Sequence, residues 1–274
     1  MDPVNQKQMM NILDKIIQHK KQEIAQRKQA VPLAELEKAA LFSRKTFSLR
    51  SFLLDESRNG IIAEFKRRSP SKGIINAEAD VAAVTTAYAE NGASCLSVLT
   101  DEHFFGGSAA DLTAARKNPI PILRKDFIID EYQLLEAKAM GADVILLIAA
   151  CLSVQEVKQL AAFAKNLGLE VLLELHAAEE LEHICDATEI IGINNRNLKT
   201  FEVDIQRSLA MAQKIPAGKI KIAESGIDAV TTIQLFRENG FDGFLVGENF
   251  MKERDPGKAF AKFVQELAVS SRPA

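Results

Sequence analysis

From Ile61 onward the chain alternates short apolar runs with longer amphipathic stretches. The runs are Ile61–Phe65, Ser94–Leu99, Ile120–Leu123, Asp143–Ile148, Glu170–Leu175, Ile190–Ile193, Ile220–Ala223 and Gly243–Val246. Helical spacing covers residues 78–91, 108–117, 131–139, 153–167, 177–185, 205–214, 228–238 and 256–268. The runs begin about 26 residues apart, room for one strand and one crossover helix. Some, VILLIAA among them, are apolar without alternation, as strands covered on both faces are. Asn91-Gly92, Gly141-Ala142 and Asn239-Gly240 put a glycine before a strand, where it suits the end of a helix. Eight such units predict an α/β fold, a (β/α)8 TIM barrel. An open doubly wound sheet would carry a GxGxxG after its first strand, and none stands there.

The first sixty residues follow another pattern. Residues 7–29 set Met10, Ile12, Leu13, Ile16, Ile17 and Ile24 at helical spacing, which predicts an amphipathic helix. Pro32 suits the start of a second helix across Leu33–Leu41. Phe47, Leu49 and Phe52–Leu54 form an apolar patch, and no Gly/Ser-rich linker follows. The expectation is one barrel domain over 1–274, with residues 1–60 as a helical N-terminal extension packed on it. The chain enters its first strand at the barrel's N-terminal end. The patch Phe47–Leu54 is therefore expected beneath the barrel, and the first helix over its mouth as a lid that excludes water. Deleting residues 1–46 should then leave a folded barrel that binds substrate at least tenfold more weakly, about 1.4 kcal/mol. Simple stabilisation by the extension is the alternative.

Composition narrows the class of partner. Of 274 residues, 47% are apolar and 26% charged, which is ordinary for a globular protein. Lys+Arg is 34 against 37 Asp+Glu, a net charge of −3, so bulk charge attracts neither nucleic acid nor an anionic membrane. The longest apolar stretch, Val144–Leu152, is too short to span a bilayer. Cys95, Cys151 and Cys185 have neither metal-ligand nor redox spacing, and the N-terminus lacks an apolar export core. A cytoplasmic protein with no membrane or nucleic-acid partner is expected, and a monomer.

Candidate chemistry lies where the runs end, which in a barrel is the active-site face. The endings read Glu64-Phe65-Lys66, Arg124-Lys125-Asp126, Glu174-Leu175-His176, Asn194-Asn195-Arg196, Glu224-Ser225-Gly226 and Gly247-Glu248-Asn249. Glu64 and Lys66 are two apart and share one side of their strand. Glu174 alternates with Leu173 and Leu175, so if those face the helices it points into the barrel mouth. A carboxylate there requires a cation, and Lys66 and Lys125 are the candidates. A structural layer of ion pairs is the bland alternative. Gly226 and Gly247, after the seventh and eighth runs, read either as tight turns or as loops that leave backbone N–H groups open to a phosphate. The basic loop from Lys66 to Gly73 reads as a solvated loop or as a lid that gathers anions. Gly106-Gly107-Ser108 reads as a loop and helix start, with a ligand contact as the alternative. The four histidines are dispersed without metal-ligand spacing, and His176 is expected at the surface or behind the contact residues.

The stretches AEFKRRSPSKG (63–73), SVLTDEHFFGGS (97–108), LRKDF (123–127), LLELH (172–176), GINNRNL (192–198), AESGI (223–227) and LVGENFM (245–251) resemble the indole-3-glycerol-phosphate synthase family. They occur in order over almost the whole barrel, and the N-terminal extension is similar too. The resemblance implies a tryptophan-pathway enzyme. It would convert 1-(2-carboxyphenylamino)-1-deoxyribulose 5-phosphate to indole-3-glycerol phosphate, carbon dioxide and water, without a metal or organic cofactor. It implies a catalytic set of Glu64, Lys66, Lys125, Glu174, Asn194 and Ser225, with Glu224 beside them. Ser69, Phe127 and Arg196 would contact substrate, and Gly226, Gly247 and Glu248 would form the phosphate loops. Many relatives carry a small hydroxyl residue where Glu248 stands, so its carboxylate must point away from a phosphate held by backbone N–H. Two competing readings are a Schiff-base aldolase using Lys66 or Lys125, and a non-catalytic phosphosugar-binding barrel.

Overall fold

The computed structural model describes residues 11–197 and 202–270, so Met10 of the expected first helix and Leu198 of GINNRNL lie outside the described residues. Three helices come first: α1 (Ile12–Ala30), α2 (Leu33–Glu37) and α3 (Leu49–Leu53). Strand β1 (Ile61–Phe65) leads into a hairpin of β2 (Arg68–Ser69) and β3 (Gly73–Ile74). Helices and strands then alternate as α4 (Val81–Glu90), β4 (Cys95–Leu99), α5 (Ala109–Ala115), β5 (Ile122–Lys125), α6 (Glu131–Met140), β6 (Val144–Ile148), α7 (Val154–Asn166) and β7 (Glu170–Leu175). After a 3-10 turn at Ala178–His183 come β8 (Ile190–Asn194), α8 (Ile205–Ala212), β9 (Ile220–Glu224), α9 (Val230–Glu238), β10 (Gly243–Val246), α10 (Glu248–Met251) and α11 (Pro256–Ser270).

The eight long strands pair in parallel and close into a barrel in the order β1-β10-β9-β8-β7-β6-β5-β4. Strand period two sorts their side chains into two cores. Ile61, Ala63, Phe65, Leu173, Leu175, Ile191 and Ile193 pack outward against the helices. Ile62, Cys95, Leu123, Val144, Leu146, Leu172, Ile190, Ile222 and Leu245 fill the interior. Helix starts are set by side chains accepting from the first-turn N–H groups: Asn11 for α1, Asp80 for α4, Ser108 for α5, Asp130 for α6 and Ser153 for α7. Gly141 ends α6 at φ 90°, a conformation that favours glycine.

Part of the expected patch closes the bottom of the barrel, while Phe52 packs against the outer core and Leu54 is exposed. Leu49 and Leu53 of α3 belong to the interior cluster. Asp143, at the foot of β6, receives Arg44 at 2.5 Å, the Phe47 N–H at 2.8 Å, and Arg116. At the other end α1 crosses the mouth, where Ile12, Leu13 and Ile16 face the interior cavity.

Three elements differ from the sequence pattern. The second helix stops at Glu37 rather than reaching Leu41, because the chain turns to bring Leu41 against Gly141 and Arg44 onto Asp143. The stretch 177–185 is a 3-10 turn instead of an α-helix. Glu180 accepts from the His176 N–H at 2.6 Å, and the His183 ring is held between the Glu180 and Leu152 carbonyls. The basic loop 66–73 contributes to the antiparallel β2–β3 hairpin, with Arg68 opposite Ile74.

Candidate active site

Inward positions at the C-terminal ends of the strands carry the charges. Glu64 on β1, Lys125 on β5, Glu174 on β7 and Glu224 on β9 share the parity of the interior residues two positions earlier, and Asn194 on β8 that of Ile190 four earlier. Pairing register sets Glu174 beside Ile148 and Gly192, and Asn194 beside Glu224. They open on a cavity of about 410 Å³ under α1. All of the residues singled out above line it: Glu64, Lys66, Lys125, Glu174, Asn194, Glu224 and Ser225, together with Ser69, Phe127, Arg196, Gly226, Gly247 and Glu248.

The charges sort into two groups. Lys66 Nζ lies 2.7 Å from Glu64 Oε1, and Ser97 Oγ donates to Glu64 Oε2 at 3.3 Å. Lys125 Nζ lies 2.8 Å from Glu174 Oε2 and 3.8 Å from Glu224 Oε2. Of the two cations expected to serve Glu174, only Lys125 does. Lys66 is engaged by its strand neighbour Glu64. Asn194 Nδ2 donates to Glu174 Oε1 at 2.9 Å, and its own Oδ1 accepts from the Arg196 N–H, so the amide is oriented from both sides. His176 is buried, with Nε2 2.9 Å from Glu174 Oε1.

These neighbours drive the two glutamates apart. Burial raises the pKa of Glu174, but the Lys125 ammonium and the His176 contact outweigh it and hold the carboxyl well below the usual carboxylate range. Burial, reinforced by the charge of Glu174, pushes Glu224 well above that range, against a weaker pull from Lys125. Burial lowers Lys125, but Glu174, Glu224 and Glu64 outweigh it and raise its pKa, so it stands as an ammonium. A carboxyl held low, a carboxyl held high and a lysine held as an ammonium thus meet at one point. Groups whose surroundings separate their pKa values in this way are suited to acid and base work.

Backbone shapes the opposite wall. Ser225 and Gly226 both have φ 67°, and for a serine this is strained. Asn195 Nδ2 holds the Ser225 carbonyl at 2.7 Å. A Cβ on Gly226 would meet Val203 at 2.4 Å. Gly247 opens the short helix α10, and its bare face is turned to Glu64, whose Cβ lies 2.8 Å from where a Cβ would stand. The glycine therefore makes room for the Glu64 side chain. The Glu248 carboxylate is drawn toward Lys72 at 3.4 Å and Arg196 at 3.7 Å. The apolar wall is Phe127, Phe105, Leu99, Ile148 and the α1 residues.

Sequence pattern missed several contributors. Gly192, in the middle of β8, leaves the space that Glu224 occupies, since a Cβ there would stand 2.0 Å from Glu224 Oε1. Ser97 reads as an ordinary strand residue, yet it contacts Glu64. The α10 turn follows β10 too briefly to show a helical period. Gly106-Gly107-Ser108 does start a helix, with Ser108 as its cap.

Comparison with known proteins adds three findings. The sequence model of indole-3-glycerol phosphate synthase matches residues 13–263. Proteins of that name from Bacteroides thetaiotaomicron and a Polaromonas species are 47% and 45% identical, over 94% and 93% of this chain and 100% and 98% of theirs. The crystal structure of 3-hexulose-6-phosphate synthase from Salmonella typhimurium superposes with a TM-score of 0.61 at 14% identity, covering 77% of this chain and 99% of that one, which is a likeness of fold alone.

Proposed function

The chain belongs to the indole-3-glycerol phosphate synthase family, and from that premise we propose which residue serves each step of the reaction. The activity is ring closure, decarboxylation and dehydration of 1-(2-carboxyphenylamino)-1-deoxyribulose 5-phosphate to indole-3-glycerol phosphate in tryptophan biosynthesis, a carboxy-lyase reaction. One observation carries the assignment: Lys125, Glu174 and Glu224 meet in a cavity that also holds the charged pair Glu64 and Lys66.

In ring closure the aromatic carbon bearing the carboxylate attacks the ketone, pushed by the arylamine nitrogen. The carbonyl oxygen becomes an alkoxide and takes a proton from Lys125. The cation left on the ring and nitrogen faces Glu174, which Asn194 orients. Carbon dioxide then departs, its bonding electrons restoring the aromatic ring. In dehydration the hydroxyl leaves with a proton from Lys66, and Glu64 removes one from the neighbouring carbon beside the nitrogen. The 2.7 Å contact between Glu64 and Lys66 lets the pair return to its starting state by one proton transfer. Glu224 holds the proton that resets the Lys125 site. The substrate supplies its own electron push, so the steps require no cofactor.

The phosphate is assigned to the backbone of Ser225, Gly226, Gly247 and Glu248, with Ser69 and Arg196 as further substrate contacts and Phe127 against the aromatic ring. In this reading α1 closes the apolar end against water, and the extension folds with the barrel as one unit. The enzyme is assigned to the cytoplasm as a monomer with no nucleic-acid partner. Its cysteines are free thiols, and no helix among the described residues is long and apolar enough to cross a membrane.

A Schiff-base reading is disfavoured by electrostatics. An imine-forming lysine must be neutral, whereas the carboxylates keep Lys125 charged. The deciding assay follows the fluorescence of an indole product, alongside borohydride added with substrate. Turnover without a trapped adduct is expected. An adduct on Lys66 or Lys125 would make the enzyme an imine former.

A further inference from the structure

Lys20 lies in the middle of α1, outside the barrel, yet it has no exposed surface. A lysine so placed requires partners on every side. Its Nζ is 2.9 Å from Asp101 Oδ2, 2.9 Å from Asp126 Oδ1 and 3.0 Å from Glu23 Oε2. Asp101 and Asp126 follow β4 and β5 at the barrel mouth, and both are fully or almost fully buried. The contacts continue from Asp126 to Arg124 at 3.1 Å, from Arg124 to Glu136 at 3.2 Å, from Glu136 to Arg27 at 3.4 Å and from Arg27 to Glu23 at 2.7 Å. Glu23 returns to Lys20, so six ionic side chains form a closed ring through α1, the end of β5 and α6. Burial works against the Lys20 charge, but Asp126 and Asp101 outweigh it and keep the ammonium.

The ring reaches the active site at Asp126, which stands between Lys125 and Phe127. Asp126 Oδ1, the oxygen that meets Lys20, also accepts the Phe127 N–H at 2.8 Å. Its Oδ2 accepts from Thr100 at 2.6 Å. On α1, Ile16 and Leu13 precede Lys20 by four and seven residues, so they lie on the same face, and both line the cavity. One ammonium therefore ties the apolar wall of the cavity to the turn that carries Lys125 and Phe127.

We infer that Lys20 is a positioning residue for the reaction: by joining Asp101 and Asp126 it docks α1 over the mouth and sets the Lys125–Phe127 turn. This rests on the reading of Lys125 as proton donor and Phe127 as ring contact. A lysine that only stabilised the fold would change the melting temperature and leave the kinetics of the folded enzyme alone.

The test compares Lys20→Met and Lys20→Arg in the full chain, well below the melting temperature of each. In Lys20→Met we expect KM to rise at least tenfold and kcat to fall at least tenfold. The inhibition constant of inorganic phosphate should stay within twofold of wild type, because the phosphate loop after β9 lies across the barrel from β5, and that after β10 is separated from β4 by β1. Lys20→Arg should restore most of both losses. Should Lys20→Met not fold, Lys20→Gln with Asp101→Asn, which removes charge from both sides of the contact, is read by the same criteria. Wild-type kcat and KM with only a lowered melting temperature would overturn the inference. So would a phosphate constant weakened as much as KM, since that marks a general loosening. If Lys125→Ala keeps its activity, the reading of Lys125 has failed instead. If Lys125→Ala is inactive while Lys20→Met is normal, the inference about Lys20 alone has failed.

Discussion

Glu170 and Glu174 stand at the two ends of β7, both turned into the barrel, and they have different surroundings. Glu170 accepts from Ser48 Oγ at 2.7 Å and from the Leu49 and Arg50 N–H groups at 2.5 and 3.2 Å. Its partners are a hydroxyl and the fixed backbone of α3, and Leu49 and Leu53 of that helix plug the interior. Asp143 nearby is held in the same way by Arg44, Arg116 and two backbone N–H groups. Glu174 faces a cavity, and its partners include the Lys125 ammonium and the His176 ring rather than fixed backbone. A buried carboxylate surrounded by immobile donors holds the fold together. One surrounded by titratable partners beside open space can take part in proton transfer.

That contrast breaks first at Lys125. Lys125→Ala should lower kcat by about 10²–10⁴-fold while substrate binding and far-UV circular dichroism stay close to wild type. Near-normal turnover would remove Lys125 from the mechanism. Asp143→Ala should do the reverse. Leaving Arg44 and Arg116 unpaired at the bottom is expected to cost about 3–5 kcal/mol in urea unfolding, with kcat unchanged per folded molecule. A loss of kcat there would mean that the two ends are not separable.

Gly247→Val tests the phosphate side. Its side chain would press on Glu64 as well as on the approach of a ligand, so overpacking of about 1–3 kcal/mol should lower kcat and raise KM together. A change in KM alone would show that Glu64 moves aside without consequence. Removing the lid should matter less. Arg44 and Thr46 anchor the chain at the barrel bottom, so the informative cut falls before them. Deleting residues 1–31 removes Lys20 too, so it should leave the barrel folded while raising KM and lowering kcat each at least tenfold, about 1.4 kcal/mol for each tenfold. Unchanged KM in a folded truncation would leave α1 a stabilising role only.

The smallest expected effect is a slope with pH. Because Glu224 is raised, the folded protein keeps a proton that the unfolded chain releases once pH exceeds the ordinary value of 4.5. Fewer protons on the unfolded state mean that stability falls as pH rises through this window, by at most about 1.4 kcal/mol per pH unit for one group. Above the folded pKa both states are ionised and the slope vanishes. Glu224→Gln should flatten the decline between pH 5 and the folded pKa in denaturant titrations. An identical slope in the variant would assign the shift elsewhere.

Much of this arrangement is visible in the linear chain. Period-two alternation places Glu174 opposite Leu173 and Leu175, and the structure turns it inward while those leucines meet the helices. The apolar patch at 47–54 marks the bottom plug for the same reason, since a surface that large must be covered. Glu64 and Lys66 share a side because they are two residues apart, and they pair. Local rules fail where a position depends on a distant neighbour. Lys20 reads as one more polar residue on an amphipathic helix, and its burial follows only when Asp101 and Asp126 arrive from two strand ends. Gly192 reads as a small strand residue, but its role depends on the size of Glu224 one strand away.

The linear order of residues is enough for the eight-unit barrel, the polarity of each strand and the acids and amines at one end, because these follow from periodicity and from backbone geometry that neighbours cannot change. It did not determine which cation serves which carboxylate, or which glutamate keeps its proton. Those were decided by separations of a few ångströms across the barrel: Lys125 is 2.8 Å from Glu174 and 3.8 Å from Glu224. In a buried site, where solvent no longer screens charge, that small difference adds to burial and to the His176 contact in holding the Glu174 carboxyl below the usual range and Glu224 above it.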